Sequence, residues 1–341
     1  MAAAEAAVTM QPVIHRINKL WNSERFMLKI EFHAMGSQMA ALLDSKSQQS
    51  IQAIEQTPGW FEEWEQVLSR FRPDNELSRL NTAGGLPVKV SPTLWAVLKA
   101  ALQAARWSGG LIVPTVLNSL ERAGYDRSFD DLQTSPTGLK LARISEKVLF
   151  KELTTPGDWE AIRMDAKEHS VTVPGGMRLD FGGIAKGWAA QQALKRLAVF
   201  GPALVDASGD IAISGLRQDN GPWSVGISDP FKLQEDLETL AMGKGAVATS
   251  GIDYHRWLQN GAWKHHIIDP RSGEPAETDL MSASVIAPDL LKAEAAAKAA
   301  LILGSEAGLE WLENHYELEG LLARKDGRLT YTTGLQNYLW R

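Results

Sequence analysis

Apolar residues along the chain follow two rhythms. In 58–71, PGWFEEWEQVLSRF, the residues Trp60, Phe61, Trp64, Val67, Leu68 and Phe71 recur at the spacing of one helix face. The stretch 91–110, SPTLWAVLKAALQAARWSGG, predicts a second helix: Ser91 can cap it, Pro92 suits its first turn and Gly109-Gly110 can end it. IAKGWAAQQALKRLAVFG at 184–201, AEAAAKAALILG at 293–304 and residues 305–315 read as further helices. The other rhythm is that of strands. Residues 26–43, FMLKIEFHAMGSQMAALL, read as two strands hinged at Met35-Gly36, and 203–215, 222–230, 245–257, 263–275 and 281–288 carry more. A last hairpin turns at Asp326-Gly327. MRLDFGG at 177–183 reads as a strand entering a turn, RPDNELSRLN at 72–81 as a polar segment, and 118–175 as loops with short connecting strands. Strands and helices mix without regular βαβ alternation. The expected fold class is therefore α+β, with mixed and antiparallel sheets flanked by helices. Residues 1–25 are set apart as an N-terminal extension, and 26–341 as one elaborate unit.

One helix departs from the usual amphipathic plan. In AEAAAKAALILG the only charges are Glu294 and Lys298, which share a stripe with Leu291 and Leu301, while six alanines leave no polar side. A solvated pair at this spacing contributes about 0.3–0.5 kcal/mol, but it needs one face in water. The composition predicts instead a helix packed closely against backbone or a ligand.

Charge and composition narrow the partners. Hydrophobic residues make up 44% and charged residues 22%, ordinary for a globular chain, and no apolar run is long enough to span a membrane. The net charge of −6 without a basic block argues against nucleic acid or an anionic membrane surface. With no cysteine in the chain, disulfides, thiolate metal sites and a thiol nucleophile are excluded. Glu5, Gln11, His15, Arg16 and Lys19 interrupt any signal-like apolar core near the N-terminus, so a cytoplasmic location is expected unless a leader was removed.

Three segments carry candidate chemistry. LDFGGIAKGW, 179–188, sets two glycines and Lys186 at the mouth of a helix, where N–H groups and the helix dipole favour an anion. It matches neither common nucleotide fingerprint, and a glycine turn before a solvated Lys186 accounts for it equally well. VATSGIDYHRW and KHHIIDPRSG gather Thr249, Ser250, Asp253, His265, His266 and Asp269, suited to phosphate and to accepting a proton, although Asp269-Pro270 also simply starts a turn. Adjacent histidines on a strand face opposite ways, so at most one of the two serves a given site. In ALVDASGDIAISG, glycine allows close approach of a ligand or tight sheet packing. The scattered Trp and Phe residues are assigned mainly to the core.

Taken in order, MGSQMAALL (35–43), RFRPDNELSRLN (70–81), SGGLIVPTV (108–116), LDFGGIAKGWAAQQA (179–193), LVDASGDIAISG (204–215), VATSGIDYHRW (247–257), HHIIDPRSGEP (265–275) and ASVIAPDLLKAEAAAKAALILG (283–304) resemble the ApbE-type FAD:protein FMN transferases. The resemblance implies an ApbE-like α+β unit that binds FAD and Mg²⁺, moves FMN onto a Thr or Ser of an acceptor protein and releases AMP. Around FAD it implies Met35, Phe71, the segment Leu111, Ile112 and Val113, Asp180, Lys186, the Thr249-Ser250-Gly251 loop and Ile267, with His266 as base or phosphate ligand. For the metal it implies the Gly183 carbonyl and acidic and hydroxyl side chains of the late helix, where Glu294, with backbone oxygens, is the candidate ligand in this chain.

That helix departs from the family pattern of an Asp followed four residues on by a Thr. Glu294 and Lys298 stand at those positions, and a lysine offers donors but no acceptor for Mg²⁺. Val113 replaces a common acidic residue, and Ser208 replaces the first glycine of a usual pair. Besides the transferase, the sequence leaves open an FAD-binding relative without transfer and an FAD pyrophosphatase that uses water as acceptor.

Overall fold

The hairpin hinged at Met35-Gly36 begins the central sheet. In the computed structural model, which describes residues 13–16, 27–128, 156–232, 234–253, 255–259 and 261–341, nine strands pair in the order in which they occur along the chain. They are β1 (Val13–Arg16), β2 (Met27–Ala34), β3 (Ser37–Asp44), β4 (Ala203–Ala207), β5 (Asp210–Ile213), β6 (Gly245–Gly251), β7 (Leu280–Ala287), β8 (Glu319–Arg324) and β9 (Leu329–Tyr331). Every described pairing is antiparallel, so of the mixed and antiparallel sheets expected, the chain uses the antiparallel kind. Part of the N-terminal extension joins the sheet edge, since Val13 pairs with Glu31 and Arg16 with Leu28. The rest of that extension, and 129–155 of the segment read as loops, lie outside the described residues.

Two tight turns explain the sheet's hairpins. Met35 (φ 50°) and Gly36 (φ 68°) close β2–β3, and Ser208 (φ 63°) and Gly209 (φ 93°) close β4–β5. Positive φ at both central residues matches the twist of paired strands, and in each turn a non-glycine residue takes the first position.

Between β3 and β4 the chain inserts helices α1 (Gln48–Glu55), α2 (Thr57–Leu68), α3 (Glu76–Thr82), α4 (Pro92–Trp107), α5 (Leu117–Arg122) and α6 (Ala185–Leu197). Between β7 and β8 it inserts α7 (Leu290–Leu303) and α8 (Ser305–Glu313). The Ser91 side chain caps α4 as expected, accepting from Leu94 N–H at 3.3 Å. Two segments read as irregular are helical instead. Asn75 caps α3 through Ser78 N–H at 2.9 Å while Leu77 and Leu80 are buried, and Leu117 and Leu120 anchor α5. Among the described residues, no helix is long and apolar enough to cross a membrane.

Small residues set the spacing of the layers. Ala203, Ala207, Ala212, Ala246, Ala248 and Ala283 belong to the helix-facing core of the sheet, which lets α6 and α7 approach its backbone closely. The other face buries Leu204, Ile213, Val247, Ile286 and Leu321 under Trp223, Val225, Ile227, Leu240 and Met242, from the hairpin Trp223–Ser228/Asp236–Met242. With cover on both faces, the central strands read as continuous apolar runs. An edge-to-face aromatic chain ties hairpin to helices: Phe32–Phe61 at 5.1 Å, Phe61–Trp64 at 5.4 Å and Trp64–Trp188 at 5.5 Å between ring centroids. These aromatics are core, as expected.

The expected strand at 177–183 is absent. No neighbouring strand pairs with it; the Asn81 amide does so, accepting Leu179 N–H at 2.7 Å and donating to Leu179 C=O at 2.9 Å. Leu179 is fully buried, so the amide satisfies two groups that water cannot reach. Replacing Asn81 with Ala orphans both and is expected to destabilise the protein by about 2–4 kcal/mol in urea unfolding. A change below about 0.5 kcal/mol would show that the clamp is dispensable.

Candidate active site

The turn that Asn81 fixes forms one wall of a cavity of about 410 Å³. Its apolar side includes Leu68, Phe71, Leu111, Ile112, Val113 and Ile267, and its polar side includes Arg70, Asp180, Lys186, His255, His266 and Lys298. The size and balance suit a small organic ligand with a polar end.

Asp180 organises the turn. Its Oδ1 accepts Gly182 N–H at 2.8 Å and its Oδ2 accepts from Arg70 Nε at 2.9 Å, while its own N–H donates to Pro114 C=O at 2.8 Å. The Arg70 and Asp180 side chains are only 7% and 8% exposed. Arg70 also donates to Tyr125 C=O at 2.9 Å, and its guanidinium lies 4.3 Å and 4.5 Å from the Phe71 and Tyr125 ring centroids. Across the cavity, the strained Met35 turn is held by its N–H donating to Glu65 Oε2 at 2.5 Å.

From this turn α6 begins without a side-chain cap, with Lys186 in its first turn. Facing it is α7, packed closely as its composition predicts, with Ala293 to Ala297 buried: the Glu294 side chain is 2% exposed and that of Lys298 15%. Lys298 Nζ donates to Glu294 Oε1 at 2.8 Å, so the pair is an interior one rather than a solvated one. Gly187 makes room for it, and Gly183 packs against the Lys298 stem. A Cβ on Gly183 would lie 3.4 Å from Lys298 Cε, and one on Gly187 would run into Glu294 Oε2. That second oxygen is buried and has no hydrogen-bond partner. Next to this pair, burial and the Glu294 charge push the Asp210 carboxyl up to about 7, against the opposing pull of Lys186 and Lys298. Thr249 N–H donates to Asp210 Oδ1 at 3.3 Å.

The two histidines divide as expected. His266 lines the cavity with its ring 5.0 Å from that of His255, whereas His265 Nε2 bonds Ala276 C=O at 3.1 Å. Burial, and then the neighbouring His255, Lys298 and Lys186, hold the His266 imidazole well below its usual range. It is neutral at physiological pH.

The structure thus brings Met35, Phe71, Leu111, Ile112, Val113, Asp180, Gly183, Lys186, His266, Ile267 and Lys298 to one cavity. Thr249, Ser250 and Gly251 do not line it. They belong to β6 rather than to a loop, because the sheet ladder continues through them to Ser284, Ala283 and Ser282. Thr249 shares the face of Val247, away from the helices, and its Oγ1 hydrogen-bonds Ser284 Oγ at 2.8 Å. Glu294 stands behind Lys298. Arg70, Glu65 and Asp210 were not singled out; Arg70 was legible only as the neighbour of Phe71, and Asp210 only as the polar end of a strand.

Residues 35–322 match the model of the ApbE family. The chain belongs to the ApbE family. This ApbE chain is 32% identical over 304 residues to the FAD:protein FMN transferase of Treponema pallidum, spanning 83% of this chain and 80% of that one. It is 28% identical over 304 residues to the protein of the same name from Vibrio cholerae, spanning 87% of this chain and 85% of that one. Its fold is ApbE-like: the crystal structure of the ApbE protein from Thermotoga maritima superposes with a TM-score of 0.78 at 24% identity, covering 92% of this chain and 100% of that one.

The buried charges give two measurable consequences. Asp210 holds its proton more tightly folded than unfolded, so its contribution to stability is complete below its unfolded value of 3.8 and is lost as pH rises toward about 7. Asp210→Asn removes that dependence. The variant is expected to gain on the parent by up to about 1.4 kcal/mol per pH unit across this window in urea unfolding, and a pH-independent difference would refute the burial of this carboxyl. Gly187→Ala should destabilise by about 1–3 kcal/mol through overpacking against Glu294, read from the thermal midpoint.

Proposed function

We propose that the cavity binds FAD and that the protein moves the FMN half onto a Thr or Ser hydroxyl of an acceptor protein, releasing AMP. One observation carries this reading: an apolar wall fit for a flavin ring faces two ammonium groups and a neutral imidazole fit for a diphosphate and a hydroxyl proton. The names of the ApbE relatives supply the reaction class.

In that reaction the acceptor oxygen bonds to the FMN phosphorus, the bond from that phosphorus to the oxygen bridging to AMP breaks, and AMP leaves with the bridging oxygen. The hydroxyl proton goes to the base, for which His266 Nε2 is the candidate, since Nδ1 lies 3.4 Å from the His255 C=O, to which it can only donate. Lys186 and Lys298 are among the charges that depress this imidazole, so a diphosphate lying against them cancels part of that effect and makes His266 a better base as substrate binds. Arg70, Asp180 and the Gly182-Gly183 turn orient the wall rather than react. The acceptor motif D-G-[ST]-x-[AS]-[ST] does not occur in this chain, so the acceptor is a separate protein.

Mg²⁺ is a different matter. It prefers about six oxygen ligands in an octahedron. The position the resemblance assigns to it, between Gly183 and the late helix, is filled by the Lys298 stem, whose Nζ already takes Glu294 Oε1. A lysine adds no acceptor, and no three His, Asp or Glu side chains converge as a metal-binding group among the described residues. These residues do not fit a Mg²⁺ site, and no step above runs through the metal.

Incubation with FAD and an acceptor protein bearing a Thr/Ser flavinylation motif should give AMP in step with flavin-labelled acceptor. His266→Gln should slow this by about 10²–10⁴-fold with little change in FAD affinity. AMP formed equally fast without acceptor would replace this reading with a pyrophosphatase. Bound FAD that never yields AMP would leave a flavin-binding relative without transfer.

A further inference from the structure

We propose that Lys298 replaces a divalent cation in this chain: its ammonium, together with that of Lys186, holds the diphosphate of the bound dinucleotide, so that binding requires no metal. This rests on the flavin reading above and goes beyond it to the means of neutralising the substrate's charge.

The geometry is that of a placed cation rather than a surface pair. Lys298 projects from a helix most of whose side chains are buried, and it lines the cavity while its ammonium stays bonded to Glu294 at 2.8 Å. Its stem packs against Gly183, in the same turn that offers Lys186 and the start of α6. Glu294 meets Lys298 through Oε1 alone, while its Oε2 is buried where a Cβ of residue 187 would lie. Lys186 lines the same cavity.

Charge and energetics agree. A diphosphate diester carries two negative charges; Lys186 offsets one of them, and Lys298, whose charge is shared with Glu294, offers the other its remaining N–H donors. A buried Lys–Glu pair alone is weak evidence of stabilisation, and an apolar pair of similar volume often serves as well. Its place on the wall of a ligand cavity, beside a second lysine, assigns it to a ligand. Lysine is a compact point charge suited to contacting phosphate without bidentate geometry.

The test compares binding of FAD and of riboflavin, which has the ring and no phosphate, by flavin fluorescence in EDTA and in excess Mg²⁺. The wild-type protein should bind FAD with affinities within about twofold of each other in the two conditions. Glu294→Gln with Lys298→Met removes both charges without stranding a carboxylate. This double variant should lose about tenfold or more in FAD affinity while keeping its riboflavin affinity, which also reports an intact cavity. Lys298→Thr should bind FAD weakly in EDTA and recover with Mg²⁺. Wild-type FAD binding that strengthens about tenfold with Mg²⁺ would overturn the proposal, as would a double variant that binds FAD like the parent. The wild-type comparison decides even where a variant fails to fold. A protein that binds neither FAD nor riboflavin overturns the flavin reading itself, a result distinct from metal-dependent FAD binding.

Discussion

A carboxylate in the middle of a nearly all-alanine helix has to be neutralised without leaving the interior. Glu294 meets that demand with Lys298 one turn further on, and much of the local architecture is arranged around the pair. The carboxylate lies where α6 and α7 come together, so α6 carries glycine at 187. The lysine stem packs against the turn before α6 at Gly183. The alanine-rich face of the sheet brings the helices close enough for these small gaps to matter. Interiors pack too densely for such gaps to be incidental.

The charges around this pair behave as one system. Asp210 is affected by Glu294, Lys186 and Lys298, and His266 by both lysines, although these groups come from β5, α6, α7 and the segment after the Arg256–Gln259/Ala262–His265 hairpin. In a medium of low polarity, a charge arriving at any one of them is felt by the rest. Ligand charge is therefore read by the cavity as a whole and not by a single contact.

Much of this could be read from residue patterns because it is local. The turns at Met35-Gly36 and Asp326-Gly327, the Ser91 cap and the periodicity of α2 and α4 depend on neighbours a few residues apart. The closeness of α7 to other backbone was legible in its alanines. What stayed hidden depends on distant partners. The extended look of 177–183 suggests a strand, but its hydrogen bonds go to an asparagine 98 residues away in sequence. Thr249 and Ser250 look like loop hydroxyls because glycine follows them, yet the ladder to β7 runs through both. Arg70 carries no special local signal, and its importance appears only once Asp180 and Tyr125 are beside it.

The cavity draws on residues from Met35 to Ile302, and its walls are tied by that long-range Asn81 clamp. Contacts of such long separation in sequence form slowly, and the wall made by α7 waits on segments more than 100 residues apart. The stretch from Met35 to Lys186 supplies most of the lining, and residues of later segments, among them His255, His266, Ile267 and Lys298, complete it. A dinucleotide that occupies it meets residues that only the folded chain brings together, and so shifts the folding equilibrium toward the native state as its concentration rises.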